Sequence, residues 1–126
     1  MIHRNHSVIL VLLAAILGGV TAPAAAHHSF AMFEKEKVAT IEGVVKQLAW
    51  TNPHVIIDVN VPDEHGGTKR YRIESASINM LMRQGWKVGA IKPGDRVTLV
   101  FNPLKNGQPG GLLVQLTLAN GTVLKG

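Results

Sequence analysis

The segment SASINMLMRQG, residues 75–85, changes the apolar period of the chain from two residues to about 3.6. Ile78, Leu81 and Met82 recur at helical spacing. A serine at position 75 or 77 can cap the start, and Gly85 can end the helix. We therefore predict one short helix here, between two sets of β-strands.

Three strands are predicted before this helix. Val38–Trp50 is rich in β-branched residues, and Gly43 inside it predicts a bulge or a tight bend. His54–Val61 alternates strictly between apolar and polar residues, which is typical of a half-buried strand. Turn and polar residues fill 62–67, and alternation resumes over Thr68–Glu74. The second and third strands therefore form a predicted hairpin.

Two or more strands are predicted after the helix. Residues 95–101 (DRVTLVF) alternate, 102–111 form a loop rich in glycine and proline, and Leu112–Leu118 makes a fifth strand. Asn120-Gly121 is a two-residue hairpin signal that predicts a short sixth strand.

This order, three strands, a helix and further strands, predicts a mainly β fold. It matches an OB-like five-stranded antiparallel barrel with one short helix between strands three and four. An OB fold binds ligands on strands two and three and on the loops between strands one and two and between four and five. In this chain those places are WTNPH (50–54), the polar face of the hairpin and residues 102–111. The alternative is an open antiparallel sheet with one helix, because sequence patterns do not reveal closure.

The front of the chain is typical of a signal peptide. Arg4 precedes the uninterrupted apolar run Val8–Val20, which is shorter than the roughly 20 residues of a membrane span. A retained anchor is the less favoured reading. We expect residues 1–26 to be a cleaved signal peptide and 27–126 to be one OB-like domain without a transmembrane segment, periplasmic or secreted. The 126 residues include no cysteine, so neither a disulfide nor a lipoprotein anchor is expected.

Charge excludes few partners. The chain has a formal net charge of +5, and removal of residues 1–26 takes away Arg4 and no acid, leaving +4. Acidic and basic residues are interspersed, which favours a solvated surface of mixed sign. We expect no nucleic-acid partner after export, whereas an anionic envelope component remains compatible with a mildly basic protein.

His27 and His28 follow two possible cleavage positions. Cutting after Ala26 makes His27 the amino terminus, which can offer its α-amine and ring to one metal ion. Cutting after Ala24 places His27 third, where the amine, two backbone amides and the imidazole form a square-planar set that favours Cu(II) or Ni(II). The competing interpretation is a frayed terminus with no function.

His54 begins the second strand on the face opposite Val55, and the hairpin would bring Glu74 or Ser75 close to it. A carboxylate there could bind a metal or orient the histidine. The predicted metal site, with copper favoured, consists of His27, His28, His54 and Glu74. The alternative for His54 is an exposed histidine that hydrogen-bonds the loop.

A metal-free domain that docks an envelope protein or an anionic envelope component is the second functional hypothesis. Its candidate surface comprises Trp50, Asn52, Pro53, Arg70 and Arg72. No nucleophile elbow, phosphate loop or zinc-protease motif is present, so an enzyme ranks third.

Large apolar residues near the turns are assigned to packing rather than to ligand binding. Trp50 and Trp86 are expected to close the ends of a small barrel. Met80 and Met82 are expected to fill the core.

The segments HHSFAMF (27–33), WTNPH (50–54) and PGD (93–95) together resemble an uncharacterised domain-of-unknown-function family of short exported proteins from Gram-negative bacteria. The resemblance implies export and a small β-rich domain, and it supplies no established activity. The positions that it singles out are His27, His28, Trp50, Asn52, Pro53, His54 and Glu74.

Overall fold

The structure, a computed structural model, describes residues 30–126. The predicted order of three strands, a helix and three further strands is confirmed. The elements are β1 (Ala39–Ala49), β2 (Ile56–Pro62), β3 (Thr68–Glu74), α1 (Ile78–Arg83), β4 (Arg96–Pro103), β5 (Gly110–Leu118) and β6 (Val123–Lys125).

Five of the strands close into a barrel. The sheet runs β3-β2-β1-β4-β5-β6, and β3 also pairs with β5. This last pairing is parallel and short, from Arg72 opposite Gly110 to Glu74 opposite Leu112. The closed five-stranded barrel with a helix between β3 and β4 is the OB architecture, so the barrel is confirmed over the open sheet.

Gly43 permits two strands to approach closely. A Cβ at this position would lie 2.5 Å from the carbonyl oxygen of Asn60 and 2.6 Å from a methyl group of Val59, closer than side chains pack. The bulge in β1 lies further along, where the register with β2 shifts between Val45 and Gln47. The strand therefore contains a bulge, but the prediction that Gly43 marks it is wrong, because the glycine instead permits the close contact with β2.

The barrel interior is apolar. The alternating residues of β2 and β4 supply much of it, with Ile57, Val59 and Leu99 fully buried. Trp86 is buried at one end, where its indole N–H donates to the carbonyl oxygen of Lys125 at 2.6 Å. Trp50 is half-buried and its ring centroid lies 6.4 Å from that of Trp86.

Helix α1 is held by the predicted end signals. The side chain of Ser77 accepts a hydrogen bond from the backbone N–H of Met80, and Gly85 has a φ of +96° just beyond the last turn. Leu81 is the buried residue of this helix, whereas Met80 and Met82 are 53% and 54% exposed. The prediction that these methionines fill the core is wrong. Successive helical residues are rotated by about 100°, so both neighbours of an inward Leu81 point away from the barrel.

Within residues 30–126, no helix combines the length and apolar character that a membrane crossing requires.

Candidate functional site

The candidate site lies where β2 begins and β3 ends. Ile56 pairs with Glu74 in the register of the hairpin. Two further backbone hydrogen bonds continue the ladder, from the N–H of Val55 to the carbonyl of Ala76 at 3.1 Å and from the N–H of Ser75 to the carbonyl of Val55 at 2.8 Å. These bonds hold His54, one residue before the ladder, beside the last residue of β3.

His54 and Glu74 are in direct contact. The carboxylate oxygen Oε1 of Glu74 contacts Nδ1 of His54, and the two side chains are 23% and 25% exposed. Of the two neighbours that the hairpin predicted, Glu74 is the partner, whereas Ser75 is buried and its hydroxyl has no hydrogen-bond partner among residues 30–126. A carboxylate at Nδ1 favours the tautomer whose proton lies there, which leaves the lone pair of Nε2 available to a further ligand.

The turn from β1 to β2 connects this site to helix α1. The Asn52-Pro53 peptide bond is cis. The side-chain oxygen of Asn52 accepts a hydrogen bond from the backbone N–H of Ile78 at 3.1 Å, and the hydroxyl of Thr51 donates to the carbonyl of His54 at 3.3 Å. Asn52 therefore fixes the start of the helix against the turn, a positioning role that its sequence context did not indicate.

Phe30 approaches His54 from the amino-terminal side. The ring centroids are 6.2 Å apart and the planes are inclined by 67°, an edge-on arrangement. The ammonium group of Lys35 lies 5.2 Å from the centroid of the Phe30 ring, which gives that ring a second contact. Sequence patterns did not predict the contact between Phe30 and His54. The predicted signal peptide 1–26 and the predicted ligands His27 and His28 lie outside the described residues.

A pocket of about 290 Å³ opens beside His54. This volume is near the lower limit of small-molecule sites, which span roughly 300–1,000 Å³. The residues that line it include Phe30, Pro53, His54, Ser75, Met80 and Leu112. It joins the start of β2, the end of β3 and helix α1 in one small cavity with a mostly apolar wall.

Arg70 and Arg72 lie further along the hairpin and share one acidic partner. Asp58 is only 4% exposed, although strict alternation placed it on the outer face. Arg70 contacts its oxygen Oδ2, and Nη1 of Arg72 lies 3.8 Å from Oδ1. The register that pairs Asp58 with Arg72 was the signal available for this contact. The two guanidinium groups therefore face an internal carboxylate, which offsets part of their attraction for an external anion.

Between residues 30 and 126, no three histidine, cysteine, aspartate or glutamate side chains are placed to hold a metal ion together. His54 and Glu74 form a pair, and His65 lies apart and exposed in the β2–β3 turn. A complete metal site at His54 therefore needs donors from other side chains or from the preceding segment.

Comparison with known proteins identifies the family of the chain. The model of DUF6152, described as a family of unknown function, matches residues 15–115. The chain belongs to DUF6152. This confirms the resemblance to a domain-of-unknown-function family, and the matched region of this DUF6152 protein contains all four predicted metal ligands.

The DUF6152 barrel is also similar to a solved structure. The mitochondrial single-stranded DNA-binding protein Rim1 of S. cerevisiae matches with a TM-score of 0.52 and 12% sequence identity, over 71% of this chain and 96% of Rim1. At this identity the likeness concerns the fold, and it supports the OB assignment. No curated protein matches the DUF6152 chain by sequence.

Proposed function

We propose that this DUF6152 protein is an exported, periplasmic binding module that holds a copper ion through His27, His28 and His54, with Glu74 orienting His54. The contact between Nδ1 of His54 and the carboxylate of Glu74 carries the proposal. In protein metal sites, a ligating histidine almost always donates its other ring N–H to a carboxylate, a carbonyl or a water.

The contact favours an orienting role for Glu74 over direct coordination. The carboxylate already faces Nδ1, so Nε2 is the nitrogen left to bind an ion. The pair is neither deeply buried nor fully solvated, which lets an ion reach the ring while the neighbouring strands keep the ring in one orientation.

The short sequence separation between Phe30 and the preceding histidines supports a site that they share with His54. Phe30 touches His54, and His28 is two residues before Phe30 in the sequence. Two residues span at most about 7 Å of chain, so the Cα atom of His28 is within that distance of the Cα atom of Phe30. His27 is one residue further. This short separation is compatible with a site in which the imidazoles of His27 and His28 and Nε2 of His54 supply three nitrogen ligands.

Copper is the favoured ion because nitrogen donors dominate the set. Imidazole suits copper, zinc, iron and nickel, and copper(II) leads the Irving–Williams order for such ligands. A terminal His27 would add its α-amine, whereas a third-position His27 would add backbone amides in a square plane. Either processed form supplies donors for copper, and mass spectrometry of the mature amino terminus distinguishes them.

Titration with Cu(II) tests the proposal. The protein is isolated after export so that its natural terminus is intact, and wild type is compared with His54→Ala and His65→Ala. We expect His54→Ala to weaken Cu(II) binding by about tenfold or more, the scale by which even orienting groups act on metal affinity. His65→Ala, a change in the exposed turn, should leave the affinity unaltered. Equal affinity of wild type and His54→Ala would contradict the proposal.

The alternative of a metal-free docking domain has a different signature. Capture of an envelope protein that persists in the presence of a copper chelator would support it. Arg70 and Arg72, which motivated that alternative, both face Asp58. The metal-binding proposal therefore has the more specific structural support.

A further inference from the structure

Met80 lines the same pocket as His54. Its side chain is 53% exposed, whereas its neighbour Leu81 makes the buried contact of the helix. We infer that the thioether of Met80 is a ligand of the copper ion and gives the site a preference for Cu(I). This inference rests on the proposed function of His54 and extends it to a fourth side-chain ligand, a sulfur donor, and to a preferred oxidation state.

The position of Met80 relative to His54 is constrained by short links. Asn52, two residues before His54, accepts a hydrogen bond from the backbone N–H of Ile78, which is the first residue of helix α1. The side chain of Ser77 accepts another from the backbone N–H of Met80 at 3.4 Å. The first turn of the helix is thus attached to the turn that carries His54. Met80 and His54 line one small cavity and belong to elements that are fixed to each other.

The chemistry of the pocket favours the singly charged ion. Thioether sulfur is a soft ligand that selects Cu(I), whereas a set of nitrogen donors alone also suits Cu(II). The wall of the pocket includes the ring of Phe30 and the side chain of Leu112. Placing charge in such surroundings is costly, and the cost is smaller for a single than for a double positive charge. A volume of about 290 Å³ gives room for an ion with its ligands.

Met82 provides a matched control for Met80. It belongs to the same helix, is 54% exposed and lies outside the lining of the pocket. Exchange of either methionine for leucine keeps the apolar volume and removes the sulfur. Because both side chains are exposed, neither exchange should unfold the protein, and circular dichroism of each variant verifies this.

The experiment is a pair of copper titrations of wild type, Met80→Leu, Met82→Leu and His54→Ala, each with its natural amino terminus. Cu(I) is added under reducing, anaerobic conditions against a Cu(I)-specific chelator, and Cu(II) is added in air against a Cu(II) competitor. We expect Met80→Leu to weaken Cu(I) binding by about tenfold or more while leaving Cu(II) binding nearly unchanged. X-ray absorption of the Cu(I) form should show a copper–sulfur contact that is lost in Met80→Leu and kept in Met82→Leu.

The outcomes separate this inference from the proposed function. If His54→Ala weakens copper binding and Met80→Leu binds Cu(I) like wild type, the role of Met80 is refuted and the histidine site stands. If Met80→Leu and Met82→Leu weaken Cu(I) binding equally, the sulfur of Met80 has no special part and the inference also fails. If wild type binds neither ion more tightly than a free histidine peptide does, both proposals are refuted.

Discussion

Replacing Glu74 with glutamine isolates the orienting contact of the proposed site. The carboxylate faces Nδ1 of His54, and both side chains are about one quarter exposed, 23% and 25%. Loss of a group that orients a metal-bound histidine costs about 10- to 100-fold in metal affinity. Because water can partly replace a carboxylate that is this exposed, we expect Glu74→Gln to weaken Cu(II) binding by about tenfold, the lower end of that range.

Two measurements on the same variant distinguish orientation from folding. Competitive titration with Cu(II) reports the affinity, and urea denaturation reports the free energy of unfolding. A hydrogen bond between side chains that are this exposed contributes about 1 kcal/mol, so the free energy of unfolding should change by no more than about 1 kcal/mol. Glu64→Gln, in the exposed β2–β3 turn, serves as the control. Unchanged affinity in Glu74→Gln would refute the orienting role.

Three further predictions concern the scaffold. Gly43→Ala places a Cβ 2.5 Å from a carbonyl oxygen of β2, so urea denaturation should show a loss of about 1–3 kcal/mol, and wild-type stability would contradict the close approach. The backbone N–H of Lys92 donates to Asp95 and lowers the pKa of that carboxyl group. The stabilisation that the ionised Asp95 carboxylate provides is therefore complete above the unfolded-state pKa and is lost as pH falls through the lower folded-state pKa. The stability difference between wild type and Asp95→Asn should then shrink in acid, and a difference independent of pH would argue against this role of Asp95. Leu81→Ala should cost about 2–5 kcal/mol and Met82→Ala less than about 0.5 kcal/mol, whereas equal losses would mean that the assignment of the buried face is wrong.

The sequence predicted the elements of the barrel because their signals are local. Strict alternation identified β2, and the change of period with Ser77 and Gly85 at its ends identified helix α1. Closure of the barrel was predicted only by analogy with the OB fold, since it depends on the pairing of β3 with β5. Those strands are joined through a helix and another strand, and no local pattern records which edges meet. Hairpin register also predicted that Glu74 or Ser75 would lie near His54.

The contacts that sequence reasoning missed depend on tertiary placement. Phe30 reaches His54 from a segment with no regular secondary structure, so no period could reveal the pair. The exposure of Met80 follows from the orientation of helix α1, which buries Leu81 and turns its neighbours away from the barrel. Alternation assigned Asp58 to solvent, yet it is buried, with Arg70 in contact with its carboxylate and Arg72 3.8 Å from it.

The most direct test of the copper site is a titration of the isotope-labelled protein, with its natural amino terminus, followed through the nitrogen signals of its histidine rings by NMR. Cu(I) is added because it is diamagnetic and leaves the signals observable. We expect the rings of His27, His28 and His54 to change together and to stop changing at one ion per chain, while His65 stays constant. Saturation of His27 and His28 with an unaltered His54 would contradict the account, because the terminus would then bind the ion without the barrel.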